Sequence, residues 1–539
     1  MTTSKQIDPR STANARLAVS EQVDVLVVGG GPAGLAAAIA AARAGVSVIL
    51  ADENPVPAET MGDDVPLHFG QRMGGAVRNR NAMMEAMLES EPGLAEAVEA
   101  GVDVRLGTFV WGLYVNGPSV GWLPGMVAGL SDGASSAMIG CKAAIVASGR
   151  RDMGLAFPGW ELPGVMGATA AERLASRYGA LEARRAVVLG TGAEALLAAL
   201  AMHRAGVAVE AVVEQAAGAI GPEALLASLE AESIPVLTRQ VIAGAEGGID
   251  GVTGVRLAAL DAAGRRVPGV ERTIACDTVV LGVGAVPVIE LLDAAGCRTA
   301  WSDERGGHVA VAGASGMTSV AGIYAVGDCA GVWAEKSVDR GVAEAEGRAA
   351  AADAVRVITG AAAVEVAAPA AGTSVPAAGT RVPAGYRVDW VRAAVVEAVG
   401  GEPYVCQCEE VTAREILEVR PPRYLQWEGA RRNSSDLSAL LGEGAPSPDQ
   451  VKRLTRAGMG LCQGRRCREQ VAALLALGAD TELSAVPLAT FRAPVRPMSL
   501  GLAGSLPENE EMAAHWDVWF GIPGQVTSYW EIDVEGDAT

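Results

Sequence analysis

Apolar runs of strand length recur along the chain, each closed by a glycine-rich turn and followed by an alanine-rich segment of helical period. The first run, Val23 to Val28, turns through Gly29-x-Gly31-x-x-Gly34 and leads into "PAGLAAAIAAARAG". A second run, "VSVIL", ends near Asp52 and Glu53. Strand, tight turn, helix, strand and terminal acid in that order predict a dinucleotide-binding unit. Gly29 permits the turn and Gly31 lets backbone approach a pyrophosphate. Pro32 and Ala33 open the helix, and Gly34 lets it pack closely on the strand. Asp52, with Glu53 beside it, offers a carboxylate to the adenosine ribose. Residues Val25 to Ala42 run 18 positions without a charge, formally a membrane-spanning length. The Gly29-Gly30-Gly31-Pro32 centre instead predicts a strand, a turn and a helix.

The pattern repeats between residues 184 and 214: an apolar strand, Gly190-x-Gly192-x-x-Ala195, a helix, a strand, then Glu214. Here Glu194 sets a carboxylate in the helix's first turn, where a pyrophosphate would rest. The expectation is a second nucleotide fold that is a poor NAD(P)H site, empty or holding another nucleotide. Two further apolar strands bracket it. "AAIVASGR" carries Ser148 and Gly149, and "TSVAGIYAVGDCAGV" ends at Gly327-Asp328.

After residue 360 the periodicity stops. Residues 361–385, "AAAVEVAAPAAGTSVPAAGTRVPAG", have the composition of a linker. A new unit follows, with Cys406-x-Cys408, 53 intervening residues, then Cys462-x-x-x-x-Cys467. These clips hold four of the eight cysteines in the chain. Four thiolates suit tetrahedral zinc or a [2Fe–2S] cluster. Zinc clips are usually C-x-x-C, and the residues alone leave both open. Arg453, Arg456, Arg465, Arg466 and Arg468 crowd the second clip, where guanidinium charge would offset that of a cluster. Cys141, Cys276, Cys297 and Cys329 are scattered and predicted to be buried and inert.

Composition narrows the function classes. Length 539 predicts three or four domains. Half the residues are apolar and 67 are glycine, the balance of an α/β protein with many strand-to-helix turns. A net charge of −20 argues against nucleic-acid or anionic-membrane partners, which need a positive field. With no secretory pattern at the N-terminus and unpaired thiols, the expected compartment is the cytoplasm. The segment boundaries that follow are an extension at 1–20, a first nucleotide fold in two parts at 21–160 and 291–360, and the second nucleotide fold at 161–290. A linker at 361–385, a four-thiol domain at 386–475 and a C-terminal tail at 476–539 come after; the resemblances below imply that the first fold binds FAD and the four-thiol domain a [2Fe–2S] cluster. "HWDVWFGIPGQVTSYWEI" in the tail suggests packing against a neighbouring domain or a partner chain.

The three ordered signatures over residues 21 to about 355 resemble the two-dinucleotide-binding-domain flavoproteins. That resemblance implies FAD, with Asp328 on the ribityl-phosphate part and Ser148 in the Thr position of the family's ATG strand. The "CQCEEVT" and "TRAGMGLCQGRRC" segments resemble the bacterioferritin-associated-ferredoxin-like [2Fe–2S] domain, although the gap between the pairs, through "PPRYLQWEGARRNSSDLSALLGEGAPSPDQ", is longer. The whole arrangement, with "FPGWELPGV" at residues 157–165, resembles the larger subunit of heteromeric flavoenzymes that include hydrogen cyanide synthase, opine oxidase and hydroxyproline dehydrogenase. The resemblance implies an electron-transfer subunit beside an amine-oxidising flavoprotein subunit, with a small [2Fe–2S] subunit as a further partner. A second nucleotide or flavin at a subunit interface is also implied. Two other readings stay open: a free-standing NAD(P)H-dependent FAD/iron–sulfur reductase, and a subunit whose cofactors are mainly structural. No histidine lies in a recognisable acid–base constellation, and the pattern assigns no catalytic residues, which stay unknown. His68 falls where the chain could pass near a flavin ring.

Overall fold

A computed structural model of the chain describes residues 19–55, 80–117, 123–360, 382–383, 385–398, 403–420 and 437–505. Six strands, β1 (Glu21–Val28), β2 (Val48–Asp52), β3 (Asp103–Leu106), β4 (Phe109–Tyr114), β5 (Met126–Ser131) and β6 (Ser136–Val146), form a sheet in the order β3-β2-β1-β6-β5-β4. The strand Ile323–Ala325 returns from far along the chain to pair with β6. It is parallel to β6, as β6 is to β1, β1 to β2 and β2 to β3. Val25, Leu26 and Val27 are fully buried, because a parallel strand covered on both faces needs an unbroken apolar run.

The chain between β6 and Ile323–Ala325 builds a second parallel sheet. Its order is Val236–Thr238, Ala208–Glu214, Arg185–Leu189, Thr278–Leu281 and Val165–Gly167. Three antiparallel strands, Gln240–Gly248, Gly251–Leu260 and Arg266–Ala275, stand beside it. The two passes between the folds pair with each other, Arg150–Asp152 antiparallel to Ala285–Pro287. Beneath the first sheet the helix Arg340–Thr359 crosses the helix Pro32–Arg43 at close range. Gly347 makes this possible, since a side chain there would collide with the Ala33 carbonyl.

The C-terminal unit follows the linker in sequence but is not separate in packing. Trp390, Val405, Ile416 and Leu474 share one buried core with Phe157, Trp160, Val213 and Val255 of the preceding folds. A capping box between Thr412 and Glu415 starts the helix Ala413–Leu417 right after the first clip. Among the described residues no helix is long and apolar enough to cross a membrane. The uncharged stretch Val25 to Ala42 is the end of β1, a glycine turn and a helix, as its central glycines predict. His68, His515, the aromatic tail segment, residues 1–18 and most of the linker lie outside the described residues.

Candidate functional site

The first glycine turn has the shape its sequence demands. Gly29 sits at φ +106°, and a side chain on it would run into the Ala147 carbonyl of the strand alongside. One on Gly34 would overlap the Gly29 carbonyl. At Gly31 a Cβ would meet nothing within 4 Å, so the space above the turn is open. Pro32 begins the helix, whose first turn holds no acid. Its first internal bond runs from Leu35 N to Gly31 O at 2.9 Å. The N–H groups of Ala33 and Gly34 lie upstream of that bond, at the positive end of the helix dipole.

Around this turn lies a cavity of about 800 Å³, within the range of cofactor sites. It brings together the sequence-predicted residues from β1 to Asp328. Asp52 is buried and accepts from Gly30 N, from Asn54 N at 2.7 Å and from Asn54 Nδ2 at 3.0 Å. Two oxygens carry about four acceptor sites, so it can still take a ribose hydroxyl. Glu53 pairs with Arg496, which the late segment brings to the same rim. Ser148 turns its hydroxyl to the Val288 carbonyl at 2.7 Å, and Gly149, at φ +76°, accepts from Val288 N at 3.0 Å. These two residues clasp the crossover between the folds while their backbone lines the cavity.

Asp328 lines the same cavity. Its turn meets the helix start directly, because a side chain on Gly327 would press on Ala33. Three cations that line this cavity carry no motif of their own. Arg150 lies 3.5 Å from Asp328 and 3.6 Å from Glu194. Burial works against its charge, but Asp328, Glu194 and Asp152 outweigh that and shift its pKa upward. Lys336 is fully enclosed, donating to Gly327 O at 2.9 Å, pairing with Glu346 at 2.8 Å and standing 3.9 Å from the Trp333 ring centre. Burial lowers its pKa, against the pull of Glu346. Arg151 pairs with Glu290, and with Glu469 at 2.6 Å. The available signal is position: Arg150 and Arg151 directly follow the "VASG" turn, and Lys336 lies eight residues past Asp328.

The second glycine turn repeats the backbone and departs at the mouth. Gly190 has φ +92° and faces the Gly282 carbonyl as Gly29 faces Ala147. Ala195 is accommodated because residue 282 is also glycine. Above Gly192, however, a Cβ would lie 3.7 Å from Glu194 Oε2. That carboxylate is fixed over the turn by the Ser337 hydroxyl at 2.7 Å and by Arg150. Glu214, at the end of the second strand, is wholly buried. It accepts from Thr191 N at 3.1 Å, Thr191 Oγ1, Ala216 N at 2.9 Å and the Tyr386 hydroxyl at 2.9 Å. Burial raises its pKa despite these donors. Tyr386, from the helix Tyr386–Val391 after the linker, therefore takes the place on Glu214 that a ribose would need.

The four clip cysteines meet in pairs. The free thiols of Cys406 and Cys467 interact, as do those of Cys408 and Cys462, and Cys462 also acts on Cys406 and Cys467. Cys406, Cys462 and Cys467 are buried and Cys408 is partly exposed. Gly458 N donates to Cys406 Sγ at 3.3 Å. Cys406 is drawn toward thiolate by the Cys467 thiol and the Gly458 and Glu409 N–H groups. Cys462 is pulled down to about 5, first by the Cys408 thiol, against burial, then by the Arg466 and Gly464 N–H groups and the Arg465 charge. Gly460 leaves room for Cys408, whose Cβ a side chain there would strike. Among the described residues no three His, Cys, Asp or Glu side chains converge as a single-ion site. The other four cysteines are buried, and burial raises Cys141 and Cys276 to about 12 and Cys329 to about 11.

Residues 23–356 match the family model described as pyridine nucleotide-disulphide oxidoreductase, and residues 433–505 match the sarcosine oxidase A3 domain. An opine oxidase component of Agrobacterium tumefaciens (strain Ach5), the A-type polypeptide of that enzyme, is 30% identical over 512 residues, 91% of this chain and 93% of that protein. Hydrogen cyanide synthase subunit HcnB of Pseudomonas aeruginosa is 28% identical over 467 residues, 82% of this chain and 90% of that one. The crystal structure of L-proline dehydrogenase from P. horikoshii shares the fold, with a TM-score of 0.59 at 19% identity over 90% of this chain and 80% of that chain. The first model spans more than half of the sequence and the opine oxidase polypeptide nearly all of it, so the chain belongs to the pyridine nucleotide-disulphide oxidoreductase family, as an oxidoreductase with the FAD-binding fold and a relative of the opine oxidases.

Proposed function

We propose that this chain is the FAD- and [2Fe–2S]-containing electron-transfer subunit of a heteromeric dehydrogenase or oxidase acting on a C–N bond of an amino acid, imino acid or opine-like amine. Oxidation of the small-molecule substrate belongs to an amine-oxidising flavoprotein partner, with a small [2Fe–2S] subunit as a further partner. The observation that carries this reading is a shared wall. Arg465 and Arg466, between Cys462 and Cys467, line the same cavity as Gly31 and Asp328.

The residues fit the groups. The open cradle at Gly31 and the helix start suit a pyrophosphate, Asp52 suits a ribose, and Asp328 lines the cavity beside that helix start. Four thiols that interact across the two clips suit the four thiolate ligands of a [2Fe–2S] cluster. Bound FAD would supply a two-electron carrier and the cluster a one-electron carrier. What the chain does is hold them close: Arg151, Glu290, Glu469 and Arg468 form a buried ion network between the thiol unit and the FAD fold.

The relatives named as subunits of opine oxidase and hydrogen cyanide synthase support a partner-dependent enzyme. The free-standing NAD(P)H reductase is disfavoured by Glu194 over Gly192 and by Tyr386 on Glu214. Purified chain should contain FAD and iron, and an amine or amino-acid substrate should reduce its cofactors only when the flavoprotein partner is added. Cofactor reduction by NADH alone, without the partner, would overturn the proposal in favour of the reductase.

A further inference from the structure

One side chain touches both candidate sites. Arg466 follows Cys462 by four residues and precedes Cys467 by one. Its Nη1 donates to Gln407 Oε1 at 2.6 Å, and Gln407 is the residue between Cys406 and Cys408. It therefore ties the second clip to the first. The guanidinium carbon lies 4.7 Å from the ring centre of Trp160. Trp160 is fully buried, and its indole N–H donates to the Tyr404 carbonyl, two residues before Cys406, at 2.8 Å. Arg466 and Trp160 also both line the cavity around the first glycine turn. The backbone is equally close, since a side chain on Gly154 would press on the Arg466 carbonyl.

We propose that Arg466, stacked on Trp160, is a counter-charge shared by the four-thiol site and the flavin cavity, a positioning residue that stabilises the reduced state of both. This inference rests on the cluster and flavin reading above. A guanidinium keeps its charge at neutral pH, and this one is held in place by Gln407 and the Trp160 ring. Reduction adds negative charge to either site, and a fixed cation between them in a largely dehydrated wall interacts more strongly than one in water. Arg465, its neighbour, is less suited to the shared role: its Nη1 reaches the Val495 carbonyl at 3.5 Å, and its interaction with the thiols is with Cys462.

The test uses the full-length holoprotein and the variants Arg466→Gln and Arg466→Lys, with Arg453→Gln, an exposed cation of the preceding helix, as control. Dithionite titrations followed by electron paramagnetic resonance for the cluster and by absorbance for the flavin give both potentials. In Arg466→Gln both should fall, the cluster by at least a tenfold loss in stabilisation of its reduced form, or about 59 mV for one electron. Arg466→Lys should fall less than Arg466→Gln, because the charge remains even though Lys cannot reproduce the stack on Trp160 or the planar fork. Unchanged potentials in an iron-replete Arg466→Gln, an equal fall in Arg453→Gln, or a Lys variant that falls as far as the Gln variant would overturn the inference. Where the Gln variant loses its iron, the flavin potential decides alone, and an unchanged value refutes the shared role. Wild-type protein filled with zinc and lacking iron would sink the cluster reading and this inference together, an outcome distinct from iron-replete protein with unmoved potentials.

Discussion

Gly31→Val separates folding from cofactor binding. Gly31 has φ −80° and ψ −178°, a backbone that any residue adopts, and open space where its side chain would go. Removing a glycine at a compatible position stabilises by about 0.4–1 kcal/mol. A β-branched helix cap costs a comparable amount, so the apoprotein should stay within about 1 kcal/mol of wild type. The same methyl groups would fill the path by which a pyrophosphate reaches the N–H groups of Ala33 and Gly34. Two hydrogen bonds to a charged group at about 1.5–3 kcal/mol each come to roughly 3–6 kcal/mol, or on the order of 10²- to 10⁴-fold in affinity at about 1.4 kcal/mol per tenfold. Gly34→Ala is the converse control, because its methyl would overlap the Gly29 carbonyl and so destabilise the protein with or without ligand. Flavin content after gel filtration and melting of the flavin-free proteins measure the two effects. Full flavin occupancy in Gly31→Val, or a melting temperature lowered as far as in Gly34→Ala, would refute the reasoning.

Titration calorimetry with NADH should give no heat at micromolar protein, because Glu194 and Tyr386 hold the second turn; a dissociation constant in the low micromolar range would show that both move aside. Cys408→Ser should lose or destabilise bound iron while FAD remains, since a hard oxygen replaces a thiolate; iron content and flavin absorbance check it, and a full iron complement would count against Cys408 as a ligand. His308, set edge-on to Trp301 with ring centres 5.1 Å apart, has its pKa lowered from 6.5 by burial. As pH falls through 6.5 the unfolded chain takes a proton that the folded chain resists, so wild type should lose stability there. His308→Phe should lose less, and parallel melting curves for the two proteins between pH 7.5 and 5.5 would contradict this.

What the sequence revealed is local steric logic. Gly29, Gly34 and Gly190 could be placed because a turn against a neighbouring strand excludes a side chain, and the structure shows those collisions. Glu194 was legible for the same reason: a carboxylate four residues after a strand's turning glycine has few places to go. Lys336, Arg151 and Glu290 were not legible, because each is defined by partners more than a hundred residues away or by burial behind a wall that periodicity does not describe. Tyr386 was the least accessible. It lies beyond a linker, in a unit whose composition suggests independence, yet its hydroxyl ends on Glu214, 172 positions earlier. Trp160 belongs, in sequence, only to a linking motif, and its contact with the thiol unit depends on tertiary packing.

The two glycine turns set a problem that their chemistry resolves. A carboxylate at the end of the second strand is costly when buried unless donors surround it. In the first fold Asp52 borders the open cavity, and its remaining capacity is available to a ligand. In the second fold Glu214 has no exposed surface, and Tyr386 supplies the outermost donor. Further along the segment that carries Tyr386, the Ala393 carbonyl accepts from Arg266 at 2.7 Å, and Arg266 also donates to the Ile242 carbonyl at 3.1 Å, fastening the C-terminal unit to the antiparallel strands. A nucleotide entering the second turn would have to displace Tyr386, expose Glu214 and loosen the segment that leads to Cys406. The polar end that would bind a dinucleotide thus serves as a socket for the thiol unit. That gives the second fold a structural task whatever it binds: Glu214 anchors the segment that carries Trp390, which shares one buried core with Trp160.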